Sequence, residues 1–214
     1  MRLITDPDRF FEDLKNRDIN LKRPLAVVSA LSILVSAYQY LLMSKLAQAI
    51  PEDLATFFVA GAYIGIIGSF TGMFAVWVIM AIVMHGLSAF FGGKGSFRRT
   101  FEFIGYGFLP SLVGSLITVP VSAYYLMNAE IPKIDLAQLQ NPDAVGDIIL
   151  SFIPRDVVYS NLIINLAVTV WGLVIWTFAV KHARGVELRK AFICALIPTV
   201  LFGIYQIWNL TKLL

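Results

Sequence analysis

Charge is missing from five long stretches of this sequence: residues 24–44, 54–93, 103–129, 157–180 and 191–211 hold no Asp, Glu, Lys or Arg. A helix crosses the hydrocarbon core of a bilayer in about 20 apolar residues, so each stretch is long enough to span. With 58% hydrophobic residues and a mean hydropathy of +0.75, a soluble globular fold is excluded. Cysteine is nearly absent as well. Cys194 stands alone in the last uncharged stretch, which rules out a disulfide framework and a thiolate metal site. Histidine occurs twice, at His85 and His182, with no H-E-x-x-H, no Cys/His cluster and no G-x-S-x-G. Ser96 and Ser115 have no base nearby in the sequence. Hydrolytic and metal-dependent chemistry therefore lack their parts, and the sequence calls for no cofactor and no enzyme activity.

What is present is cationic and unevenly placed. Thirteen of the 17 Lys and Arg fall in three segments: before Pro24, at Lys94 to Arg99, and at Lys181 to Lys190. The alternate connections hold only Lys45, Lys133, Arg155 and Lys212. Short loops rich in Lys and Arg stay in the cytoplasm. The expected fold is an all-α polytopic bundle of five transmembrane helices, at about 24–44, 69–91, 101–127, 157–180 and 191–211. Its N-terminus is cytoplasmic, its C-terminus outside, and its place the cell membrane. The net charge of +3 serves topology and anionic lipid, not nucleic acid. Five acids in the leading region argue against a signal peptide.

Asp6-Pro7 reads as a helix cap followed by proline at the first helical position. Phe10, Phe11 and Leu14 then share a face, so residues 1–23 are expected to carry an amphipathic helix lying on the cytoplasmic interface, its aromatics among the headgroups. The 40-residue stretch 54–93 is too long for one span, so 52–67 is expected to form a separate outer-side or re-entrant piece. Gly61, Gly65 and Ser69 make a small-residue ridge. That ridge suits helix packing, within the chain or between copies as a homo-oligomer, with a broken helix along a substrate path as the sharper alternative. In the connection 128–157, Val145, Ile148, Ile149, Phe152 and Ile153 fall on one face of a short amphipathic helix.

Gly92-Gly93-Lys94-Gly95-Ser96 resembles a phosphate loop only in part, since Ser88 stands where the first glycine is needed. Beyond it, Arg98, Glu102, Tyr106, Pro110 and Gly114 recur every four residues. Glu102 one turn inside the membrane needs a cation, and Arg98 or Arg99 is in reach. A structural ion pair is the simpler reading; a proton or ion pathway through Glu102 and His85 is the alternative. Pro110, Pro120 and Pro198 are expected to kink their helices. Lys94, Arg98, Arg99, Arg184, Arg189 and Lys190 are the candidate contacts to anionic headgroups or a protein partner.

The run GGKGSFRRTFEFIGYGFLP at 92–110, with Gly105, Tyr106 and Pro110 as its motif, resembles the second-to-third span region of the Yip-domain membrane proteins. Trp77 to Phe91, HARGVELRKAFICALIP at 182–198, and the opening DPDRFFEDL with its following RPL are similar too, the last suiting prokaryotic members. The resemblance implies a five-span Yip-like membrane domain over 24–214 and a non-enzymatic scaffold or adaptor. In eukaryotic relatives such proteins serve vesicle traffic and interact with Ypt/Rab small GTPases. A small transporter or channel using the kinked third span remains the other reading.

Overall fold

The computed structural model describes residues 2–130 and 154–211. Eight helices follow one another there: α1 (Arg2–Thr5), α2 (Pro7–Lys15), α3 (Lys22–Ala47), α4 (Glu52–Phe90), α5 (Phe97–Tyr106), α6 (Leu109–Asn128), α7 (Arg155–Arg184) and α8 (Leu188–Thr211). No strand occurs among the described residues. Their boundaries follow local chemistry. The Asp6 carboxylate accepts from the Arg9 amide at 3.1 Å, with Pro7 opening α2. Pro24 sits in the first turn of α3, where its missing N–H costs nothing. Ser96 caps α5 by accepting from the Arg99 amide. Gly185 ends α7 in the left-handed region at φ 63°, where a side chain would be strained.

Four segments are long and apolar enough to cross a membrane: Lys22–Ala47, Thr56–Phe90, Phe97–Asn128 and Asp156–Arg184. The last uncharged stretch lies within α8. α3 packs between α4 and α6, α7 between α6 and α8, and α8 returns to α4. The five long helices thus close into a ring. α5 contacts α3, α4 and α7 and plugs one end of it.

Three expectations need correction. Residues 52–67 are not a separate piece, since α4 is one helix of 39 residues, about 58 Å long. No proline or charge interrupts residues 54–93. Gly61, Gly65, Gly68 and Gly72 each cost about 1 kcal/mol against alanine, less than leaving backbone groups unpaired in hydrocarbon. Part of the small-residue ridge packs within the chain: Ser69 bonds Ser36 of α3 at 3.1 Å and Gly65 faces Gln39, while Gly61 meets nothing.

The second correction concerns the N-terminal segment. Phe11 is fully buried against Phe103, ring centroids 4.9 Å apart, and Phe10 meets Tyr106 edge-on at 5.3 Å. The aromatic face expected among headgroups is docked on α5, which offers rings of its own. Third, the expected span 101–127 is interrupted. Gly107 and Phe108 separate α5 from α6, with Pro110 in the first turn of the new helix. Pro120 and Pro198 lie inside helices that continue through them. The helix expected around 145–153 lies outside the described residues.

Candidate functional site

The three cationic segments meet at the plugged end of the ring. Lys94 donates its amide to the Arg184 carbonyl at 2.7 Å, joining the 92–96 loop to the end of α7. Arg99 reaches back to the N-terminal segment, donating to the carbonyls of Leu14 and Arg17. Lys181 and His182 both approach one oxygen of Asp8 at 2.6 Å. Segments more than 170 residues apart are thereby tied together.

The expected carboxylate pair forms locally. Arg99 Nη1 lies 2.6 Å from Glu102 Oε2, at i, i+3, with side-chain exposures of 14% and 0%. The Asn20 amide donates to the other carboxylate oxygen at 3.0 Å, and Phe103 stacks beneath the guanidinium at 5.4 Å. Arg98 takes no part in the pair and is exposed. His85 bonds Thr100, 15 residues on in the chain, across Nδ1 and Oγ1 at 2.9 Å and stands edge-on to Phe97, so it makes no contact with the Arg99–Glu102 pair among the described hydrogen bonds. None of the described cavities is lined by Glu102 or His85.

Arg184 is a correction to the set of contact residues. It is 4% exposed and spends its guanidinium on the glycine loop: Nε donates to Ser88 Oγ at 2.8 Å, Nη2 to the Gly93 carbonyl at 2.7 Å and Nη1 to that of Gly95. The loop is shaped around it. Gly95 has φ 120°, and a Cβ there would lie 2.5 Å from the Ala183 carbonyl oxygen. What looks like a phosphate cradle in sequence is a cradle for an arginine of the same chain. Arg99, similarly, is committed inward. Lys94, Arg98 and Arg189 remain exposed, and Lys190 is partly so beside Glu187 at 3.6 Å.

The motif glycines mark close approaches. A Cβ on Gly105 would lie 2.6 Å from Pro24 Cβ and 2.7 Å from the Trp77 ring; one on Gly107 would lie 2.0 Å from Trp176 Nε1. Both indoles hold α5 by its carbonyls, Trp77 at Phe101 (2.9 Å) and Trp176 at Ile104 (3.0 Å). Tyr106 and Pro110 are buried beside them. Sequence reasoning missed these indoles and the Asp8 cluster, because their partners lie far away in the chain and leave no periodic signal.

Asp8 is half-exposed, and its carboxyl is held below the usual range by the hydrogen bond from Lys181 and then by that from His182. A lowered folded value stabilises above the unfolded pKa of about 3.9 and is lost as pH falls through the folded one. Docking of α2 is therefore expected to loosen below about pH 4. Asp8→Asn should loosen it at neutral pH by no more than about 1 kcal/mol, given solvent screening. Hydrogen exchange over residues 2–15 reads both; unchanged protection in the variant would discount the cluster.

The uncharacterized protein MJ0794 of Methanocaldococcus jannaschii is 40% identical over 123 residues, covering 58% of this chain and 86% of that protein. No solved structure matches. The family model of the Yip1 domain matches residues 1–210, a range that holds the four apolar membrane-crossing segments, and the chain belongs to the Yip1 domain family of membrane proteins.

Proposed function

We propose that this protein is a non-enzymatic scaffold or adaptor of the cell membrane, with five spans, its N-terminus in the cytoplasm and its C-terminus outside. Its cytoplasmic end engages anionic headgroups and offers a protein partner a docking face. The observation that carries this reading is the gathering of exposed Lys94, Arg98 and Arg189 at one end of the ring, from segments about 90 residues apart in the chain. Each basic residue near an anionic leaflet contributes about 1 kcal/mol of attraction. Membership of the Yip1 domain family supports the scaffold role.

Reversing the three charges together (Lys94→Glu, Arg98→Glu, Arg189→Glu) tests it. The preference of the purified protein for phosphatidylglycerol over phosphatidylcholine, read from bound lipid, is expected to fall at least about tenfold. The melting temperature should hold, because none of the three side chains enters a hydrogen bond among the described residues. An unchanged preference would overturn the lipid contact. The rival reading, a transporter using the third span, finds Glu102 sealed and salt-bridged. Ion flux through liposomes that Glu102→Gln abolishes would favour that rival instead.

A further inference from the structure

The ring encloses space that the cationic end does not use. A cavity of about 180 Å³ is lined by all five long helices, with Phe108 and Trp176 on its walls. Through Ser111, Ser115 and Asn165 it adjoins a second of about 90 Å³, and the second adjoins a third of about 150 Å³ through Thr118 and Asn165. The three follow the seam between α6 and α7 from the middle of the bundle to Ser122 and Asn161, toward the end away from the cations.

The seam is polar on both sides. Ser111, Ser115, Thr118 and Ser122 are spaced by four, three and four on α6, and Asn161, Asn165 and Thr169 by four on α7. Ser122 and Asn161 bond each other at 2.9 Å, and the Asn165 amide donates to the Asn161 carbonyl. The hydroxyls of Ser111, Ser115, Thr118 and Thr169 form no hydrogen bond among the described residues. Elsewhere in the bundle Ser32, Thr177 and Thr199 turn back onto their own helix carbonyls. No buried polar side-chain atom lacks a partner among the described residues, so these four hydroxyls are accessible, and all four residues line the cavities. Facing hydrocarbon, unspent hydroxyl and carboxamide groups would cost several kcal/mol together, so the seam requires polar contents. None of the residues lining the three cavities is Asp, Glu, Lys, Arg or His, which leaves nothing to balance a charged ligand.

We propose that the α6–α7 seam is a hydrated cleft that binds an uncharged, hydroxyl-rich molecule of the polyol class. Hydroxyls and carboxamides supply both donors and acceptors to such a ligand, and the aromatic walls suit its C–H faces. The cleft is separate from the cationic end, so its fate leaves the scaffold reading untouched.

The test uses the whole chain in phosphatidylcholine nanodiscs, with Thr118→Cys and Ser115→Cys in the seam and Leu116→Cys on the 56%-exposed outer face of α6. Fully buried Cys194 sets the background in the parent protein. A cationic methanethiosulfonate reagent reacts with thiolate, which forms in water and not in hydrocarbon, so both seam variants should react at least about tenfold faster than Leu116→Cys. Glycerol at twice its dissociation constant should slow them about threefold, while glycine betaine at the same osmolality should not. Rates equal to that of Leu116→Cys overturn the cleft. Fast rates that glycerol leaves unchanged overturn the ligand class.

Discussion

Replacing Arg99 by alanine is expected to destabilise the plugged end of the bundle by about 3–5 kcal/mol, the usual cost of stripping one partner from a buried ion pair. Glu102 is fully buried, and without Arg99 its remaining described partner is the Asn20 amide. The same guanidinium also holds the Leu14 and Arg17 carbonyls, so the N-terminal segment should come loose with it. Arg99→Lys keeps the charge but loses the fork that reaches three acceptors, and should recover less than half of the loss. Arg99→Met combined with Glu102→Gln should recover more, because no unpaired carboxylate remains. Denaturation in mild detergent gives the stabilities, and hydrogen exchange over residues 2–23 reports the docking. If Arg99→Ala matched the parent in both, the pair would be ornamental.

That pair was legible in the sequence because it is local: Arg99 and Glu102 are one turn apart. The long helices were legible for a similar reason, since a charge-free run of 20 or more residues has few ways to satisfy its backbone in lipid. Interactions between distant segments were not. Nothing around Arg184 distinguishes it from the exposed Arg189, and only the fold shows that the glycine loop closes over the former. The amphipathic pattern of Phe10, Phe11 and Leu14 correctly gave a helix with one apolar face, but an apolar face fits lipid and protein equally well. The rings of Phe103 and Tyr106 decide between them. Likewise, hydroxyls at every third or fourth position of α6 look like ordinary small-residue packing until the asparagines of α7 are seen opposite.

Gly107→Ala is expected to cost about 2–4 kcal/mol, combining overpacking against a rigid ring with loss of a buried hydrogen bond. The added methyl would stand 2.0 Å from Trp176 Nε1, far inside contact distance. The indole cannot yield freely, because its N–H donates to the Ile104 carbonyl at the break between α5 and α6 and its ring borders Phe108 and Gly172. Either the ring turns and the indole N–H loses its acceptor, leaving that carbonyl with the Gly107 amide alone, or α5 lifts from α7. Both outcomes disturb the plug, so the damage should spread to the Arg99–Glu102 pair one to two turns away. A double-mutant cycle separates this from a general intolerance of alanine in the turn. Trp176→Leu alone should destabilise through the lost ring and hydrogen bond, yet Gly107→Ala should add less than about 1 kcal/mol on top of it, because the clash has gone. Additive losses would mean that the glycine is required for its backbone and not for the space it leaves. Its φ of −68° lies in the ordinary helical region, open to any residue, so space is the only demand the fold makes on this position.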